Sequence, residues 1–195
     1  MPQEIEIEFK NSLTKEQYEL LLRKFDVKDE MIVRQTNHYF DTPEFHLKAL
    51  WSGLRIRETS SKIVCTLKEK TADHTHLETT DVLTEEQAQL MLSGEAFLAN
   101  TVKEKLMKLE VPIEKLSVFG SLTTDRVELP YKGGTLVLDH SFYLNQDDYE
   151  VEYETNEEHT GKEIFDQFLK ENKIPTQIAD KKIARFMKAL KSEKG

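Results

Sequence analysis

The chain has a single cysteine among its 195 residues, so no internal disulfide is available to it. Cys65 lies in the strand-like stretch KIVCTLK, where a small buried apolar side chain is the expected role. Glycine and proline number only 7 and 5. That is too few for a low-complexity linker, and no repeat or domain boundary interrupts the chain. No apolar run approaches the roughly 20 residues of a membrane-spanning helix. Cations are also scarce: 27 Lys and Arg face 36 Asp and Glu, for a formal charge of −9. Nucleic acid is therefore not an expected partner, since counterion release needs a basic footprint. The opening MPQEIEIEFK has no basic region, apolar stretch or cleavage site, so nothing marks it for export and a cytoplasmic location is expected.

What remains is a globular composition, 38% hydrophobic and 32% charged, read as one domain over residues 1–191 with a short tail at 192–195. Period-two alternation predicts strands at 4–10, 31–40, 53–58, 61–68, 76–82, 117–129, 134–143 and 149–155. Helices are expected from Thr14, with Gln17 completing a capping box, and over 84–92, 101–109, 162–172 and 180–191. The first helix is expected to turn Leu20, Leu21 and Phe25 toward the core. Gly133-Gly134 after Pro130 reads as a hairpin turn rather than a phosphate loop. Eight alternating strands with interspersed helices define an α+β protein, and they suffice to close an antiparallel β-barrel with the helices packed outside.

The face opposite the apolar one is unusually charged. Glu4, Glu6, Glu8 and Lys10 alternate with Ile5, Ile7 and Phe9; Arg55 and Arg57 flank Ile56; Lys62 and Lys68 alternate with Ile63, Cys65 and Leu67. Arg126 and Glu128 alternate with Val127 and Leu129, and Glu150, Glu152 and Glu154 with Val151 and Tyr153. Alternation by itself usually marks a solvated outer face. Three glutamates at period two on one strand are a different matter, because like charges at neighbouring positions repel. A divalent cation neutralises such a cluster, and Mg²⁺ or Mn²⁺ prefers hard oxygen ligands. Arg55, Arg57, Lys68 and Arg126 suit phosphate oxygens. The histidines His38, His74, His76 and His140 show no zinc-ligand spacing.

These residues carry a resemblance to a known family. Glu6-Ile7-Glu8-Phe9-Lys10 matches the Glu-x-Glu-x-Lys signature of the CYTH superfamily, the triphosphate tunnel metalloenzymes. NHYFDTP at 37–43, LRIRE at 54–58, TLKEK at 66–70, TDRVEL at 124–129, LVLD ending at Asp139, YEVEYE and KIARF at 182–186 follow in the family's order. The chain is identified as a member of that superfamily, which includes inorganic and thiamine triphosphatases and class IV adenylate cyclases. The resemblance implies Glu6, Glu8, Asp139, Glu150 and Glu152 as metal ligands, with Glu6, Glu8 and Lys10 catalytic. It implies Lys10, Arg55, Arg57, Lys68, Arg126, Lys182 and Arg185 as contacts to the triphosphate. Thr124 and Thr80 stand where many members carry a cation and a carboxylate, which bears on substrate preference.

The implied activity is metal-dependent hydrolysis of a small-molecule triphosphate. Two rivals share the same residues: an adenylate cyclase acting on ATP, and a non-catalytic binder of polyphosphate or nucleotide. The apolar helices are compatible with a homodimer, although no face is singled out for one.

Overall fold

The computed structural model describes residues 2–194. Met1 and Gly195, which end the expected domain and tail, lie outside the described residues. The strands are β1 (Gln3–Leu13), β2 (Val33–Asp41), β3 (Ser52–Glu58), β4 (Ile63–Lys70), β5 (Thr75–Leu83), β6 (Ser117–Tyr131), β7 (Gly134–Tyr143) and β8 (Gln146–Thr155). The helices are α1 (Lys15–Lys24), α2 (His46–Ala49), α3 (Glu85–Leu92), α4 (Asn100–Lys108), α5 (Glu158–Glu171) and α6 (Lys182–Lys194). The strands form a closed barrel in the order β1-β5-β4-β3-β2-β6-β7-β8, so the expected architecture is present. Among the described residues no helix is long and apolar enough to cross a membrane.

The chain divides into two compact units, Met1–Ile5 with Gln35–Leu122, and Glu6–Arg34 with Thr123–Gly195. In the first, β2, β3, β4 and β5 form an antiparallel meander with Asn37 across from Arg57, Gly53 across from Lys68 and Thr66 across from Thr80. Leu54, Ile56, Cys65 and Leu67 join Ala88 and Met91 of α3 and Val102 and Leu106 of α4 in one apolar core. Cys65 is fully buried there, and burial, with the field of Asp81, raises its thiol pKa. It packs, as expected.

In the second unit β6, β7, β8 and β1 pair antiparallel in sequence. Phe9, Val127, Leu129, Leu136, Leu138, Val151 and Tyr153 pack against Tyr18 and Leu21 of α1 and Phe165, Phe168 and Leu169 of α5. In each unit the helices thus cover the apolar face of the strands, and period-two alternation turns the charged set to the opposite face, the barrel interior.

Local chemistry sets the boundaries. Thr14 and Thr84 each form a capping box with the glutamine three residues on, Gln17 and Gln87. The sequence gives no sign of α2; Asp41 builds it by accepting from the Leu47 and Lys48 N–H groups at 3.0 and 3.1 Å. Helix α5 starts four residues earlier than the periodicity predicts, because the Glu157 carboxylate caps the N–H groups of His159 and Thr160 at 3.0 and 2.6 Å. Leu20 corrects the expectation for α1: it is 58% exposed, while Tyr18 and Leu21 are buried. A position between those two lies off the buried stripe of a 3.6-residue helix. Ile5 is likewise exposed, unlike Phe9 on the same face.

The β6–β7 turn is the expected hairpin, tightened to Lys132-Gly133 with both residues at positive φ. Gly134, across from Tyr131, has no room for a side chain: a Cβ there would meet the Glu154 carbonyl oxygen at 2.5 Å and the Tyr153 ring at 2.6 Å. The variant Gly134→Ala is expected to lose about 1–3 kcal/mol in urea unfolding. An unchanged unfolding midpoint would show that the hairpin can yield.

Candidate functional site

The second unit holds most of the charged set. In β7–β8 register Asp139 lies across from Glu150 and Val137 across from Glu152, while Arg126 of β6 lies across from Asp139. Asp139, Glu150 and Glu152 are all buried, with exposures of 0, 1 and 5%. Carboxylates so placed need counter-charge, and helix α6 supplies it. Lys182 Nζ is 2.7 Å from Asp139 Oδ2 and 2.9 Å from Glu152 Oε1, and it also contacts Glu150 Oε1. Arg126 grips Asp139 with Nε and Nη2 at 2.8 and 2.7 Å, and its Nη2 lies 3.4 Å from Glu152 Oε2. One turn along α6, Arg185 pairs with Asp148 and Glu150, both at 3.0 Å.

The sequence expectation places Lys182 and Arg185 on phosphate. In this structure both are held by carboxylates instead, which makes α6 an internal counterion. Burial opposes the charge on Asp139 and Glu152, yet neighbouring Arg126 and Lys182 hold both carboxyls below their ordinary range. Those same carboxylates raise the Lys182 and Arg126 pKa values against burial. Glu150 goes the other way: burial pushes it up to about 7 despite Lys182 and Arg185.

A second acidic group shares Glu152 with the first. In the β1–β8 ladder Glu8 lies across from Glu154 and Lys10 across from Glu152. One carboxylate oxygen from each of Glu8, Glu152 and Glu154 lies within 4.8 Å of the others, as is also true of Asp139, Glu150 and Glu152. Lys10 Nζ is 3.9 Å from Glu8 Oε1. Burial, then the charges of Glu6, Glu152 and Glu8, lift Glu154 to about 7, against the pull of Arg126. Three oxygen donors in excess negative charge fit a hard divalent cation. Sequence reasoning left Glu154 out of the ligand set, although YEVEYE displays it at the same period as Glu150 and Glu152. Its pairing with Glu8 is a fact of register that local sequence does not carry.

The first unit supplies a cationic row. Arg55 Nη2 and Lys68 Nζ lie 3.9 and 3.8 Å from Glu78 Oε1, and Arg57 Nε donates to Asn37 Oδ1 at 2.8 Å. Arg55 Nε is buried with no hydrogen-bond partner among the described residues. Thr124 and Thr80, where the resemblance implies a cation and a carboxylate in many members, are each satisfied by a hydroxyl: Thr124 with Ser141 and Thr80 with Thr66, both at 2.9 Å. The neutral pairs leave neither hydroxyl unmet. The histidines His38 and His140 are tied to carboxylates, Glu58 at 2.7 Å and Asp147 at 2.8 Å.

The acidic residues of β1, β7 and β8 in the second unit and the cations of β3 and β4 in the first are the residue sets that the sequence motifs single out. The CYTH domain model matches residues 4–187, and the chain belongs to that family. It is 42% identical over 186 residues to YjbK of Bacillus subtilis (strain 168), a protein provisionally named a triphosphatase; the match covers 95% of this chain and 96% of YjbK. A crystal structure from Bacillus halodurans, provisionally described as an adenylate cyclase, superposes with a TM-score of 0.91 at 38% identity, covering 95% of this chain and 99% of that one. HpAC1 from Hippeastrum, described as having a dominant triphosphatase activity, shares the fold with a TM-score of 0.77 at 24% identity, covering 94% and 95% of the two chains.

The raised carboxyls set a pH dependence. Glu154 and Glu150 bind a proton more readily folded than unfolded, so they cost stability as pH rises from the ordinary glutamate range through about 7. Asp139 and Glu152, shifted downward, act only at lower pH. The melting temperature of the metal-free protein is expected to fall between about pH 5 and 8, and Mg²⁺ to restore it at the upper end. Glu154→Gln should flatten the decline. A wild-type profile that is flat over this range would contradict the assignment.

Proposed function

We propose that this chain is a metal-dependent triphosphatase, with residues 1–191 acting as one cytoplasmic domain on a small-molecule triphosphate, without nucleic acid or membrane. The observation that carries the reading is the segregation of charge on the inner face. Glu8, Glu152 and Glu154 bring three oxygens within 4.8 Å, and burial with the neighbouring carboxylates of Glu6, Glu152 and Glu8 lifts the carboxyl of Glu154 to about 7. The relationship to YjbK supports the same activity.

In this reading Glu8, Glu152 and Glu154 are the central ligands of Mg²⁺ or Mn²⁺, with Glu6, Asp139 and Glu150 completing the acidic set. When bound, the cation neutralises phosphate charge and polarises the oxygens. Lys10, Arg55, Arg57, Lys68 and Arg126 hold the triphosphate and place its terminal phosphorus for attack by water. That attack breaks the bond to the bridging oxygen and releases phosphate. Catalysis of this kind is positioning and charge neutralisation, so Glu6, Glu8 and Lys10 act by fixing the reacting group. Lys182 and Arg185, which pair with the acidic set in the metal-free chain, would be available to phosphate oxygens if a cation neutralised those carboxylates.

The Bacillus halodurans relative favours a second reading, in which the same residues hold ATP while its ribose hydroxyl attacks the α-phosphorus. Phosphate release from inorganic triphosphate, and cyclic AMP formation from ATP, separate the two. Glu8→Ala and Lys10→Ala are each expected to cut Mg²⁺-dependent phosphate release by at least about 100-fold while the protein still melts cooperatively. Retained release in both variants would sink the assignment. Cyclic AMP with pyrophosphate would replace it with the cyclase, and binding without products would replace it with a receptor.

A further inference from the structure

Asn37 is fully buried, yet its amide is only half satisfied. It lies on β2 directly across from Arg57 of β3, and directly opposed residues share a face of the sheet. Ile56, next to Arg57, is in the apolar core under α3 and α4, so alternation puts Arg57 and Asn37 on the interior face with the cations. Arg57 Nε lies 2.8 Å from the Asn37 side-chain oxygen. A guanidinium can only donate, so this contact fixes the amide's orientation: oxygen toward Arg57, NH₂ turned away. That Nδ2 is buried without a hydrogen-bond partner among the described residues, and so is Arg55 Nε on the same face. Buried donors are almost always paired, because leaving one unmet forfeits its hydration without return. Asn37 and Arg55 are diagonal neighbours on the β2–β3 ladder, and both unmet donors need an acceptor, which on a face that carries Arg55, Arg57 and Lys68 is best an anionic oxygen.

We infer that Asn37 is a further ligand of the substrate: its Nδ2 donates to a phosphate oxygen while its Oδ1 holds the Arg57 guanidinium in place for the same anion. The inference rests on the reading of the barrel as a triphosphate site. A neutral donor at this point adds a directed hydrogen bond without another positive charge, and so tells a phosphate oxygen from a metal ion. Aspartate is its isostere. It keeps the acceptor for Arg57 but exchanges the donor for a second anionic oxygen facing the phosphate.

The test is calorimetric titration of the full chain with inorganic triphosphate in EDTA, where no metal-dependent turnover intrudes, for wild type, Asn37→Asp and Asn37→Ala. Thermal melts run alongside. Wild type is expected to bind. Asn37→Ala should weaken binding about 10-fold and Asn37→Asp about 100-fold or more, in line with loss of a hydrogen bond to a charged group and then added repulsion. With Mg²⁺ present, the Asn37→Ala loss should fall on KM while kcat changes little, a split that a merely structural role would not produce. Wild-type affinity in both variants would overturn this inference alone. Failure of wild type to bind triphosphate, with or without Mg²⁺, would bring down the proposed function and this inference together.

Discussion

Carboxylates can be buried side by side only where positive charge is held among them, and Lys182 provides the central part of it here. Its ammonium reaches Asp139, Glu150 and Glu152 together, and Arg126 and Arg185 close the set from β6 and from the next turn of α6. Removing one partner from such a group costs far more than the pair contributes, because an uncompensated charge stays behind. The last helix is therefore tied to β7 and β8 by charge, in a protein whose other helices dock by apolar contact. The same carboxylates divide by how burial and counter-charge balance. Arg126 and Lys182 outweigh burial at Asp139 and Glu152, which stay ionised, whereas burial outweighs the nearby cations at Glu150 and Glu154, which rise to about 7.

That polar interior depends on an exterior that is ordinary. In both units the strands give one side chain in two to an apolar layer under helices. The stability of the fold thus comes from outside the barrel, leaving the inward positions to carry charges that repel one another. Natural proteins bear such local conflict at functional sites and offset it elsewhere.

Much of this was legible because alternation is a local signal. The strand carrying Glu6, Glu8 and Lys10, the YEVEYE strand and the two threonine capping boxes each declare themselves within a few residues. What escaped depends on register or on distant partners. Glu154 meets Glu8 only because β1 and β8 pair as they do. Helix α2 exists because Asp41 reaches forward to cap it, a contact that the DTP turn signal does not announce. Leu20 is expected in the core with Leu21 and Phe25, and the geometry of α1 turns it outward. The family resemblance identified Lys182 and Arg185 as important cations, but nothing in the sequence said that in this structure carboxylates would hold them.

The most direct measurement is a crystal structure of the protein grown with Mn²⁺ and inorganic triphosphate, with anomalous data collected to locate the metal. The account predicts an anomalous peak coordinated by Glu8, Glu152 and Glu154, with phosphate oxygens on Lys10, Arg55, Arg57 and Lys68. A metal bound away from those carboxylates, or a triphosphate found only on the outer surface, would contradict it.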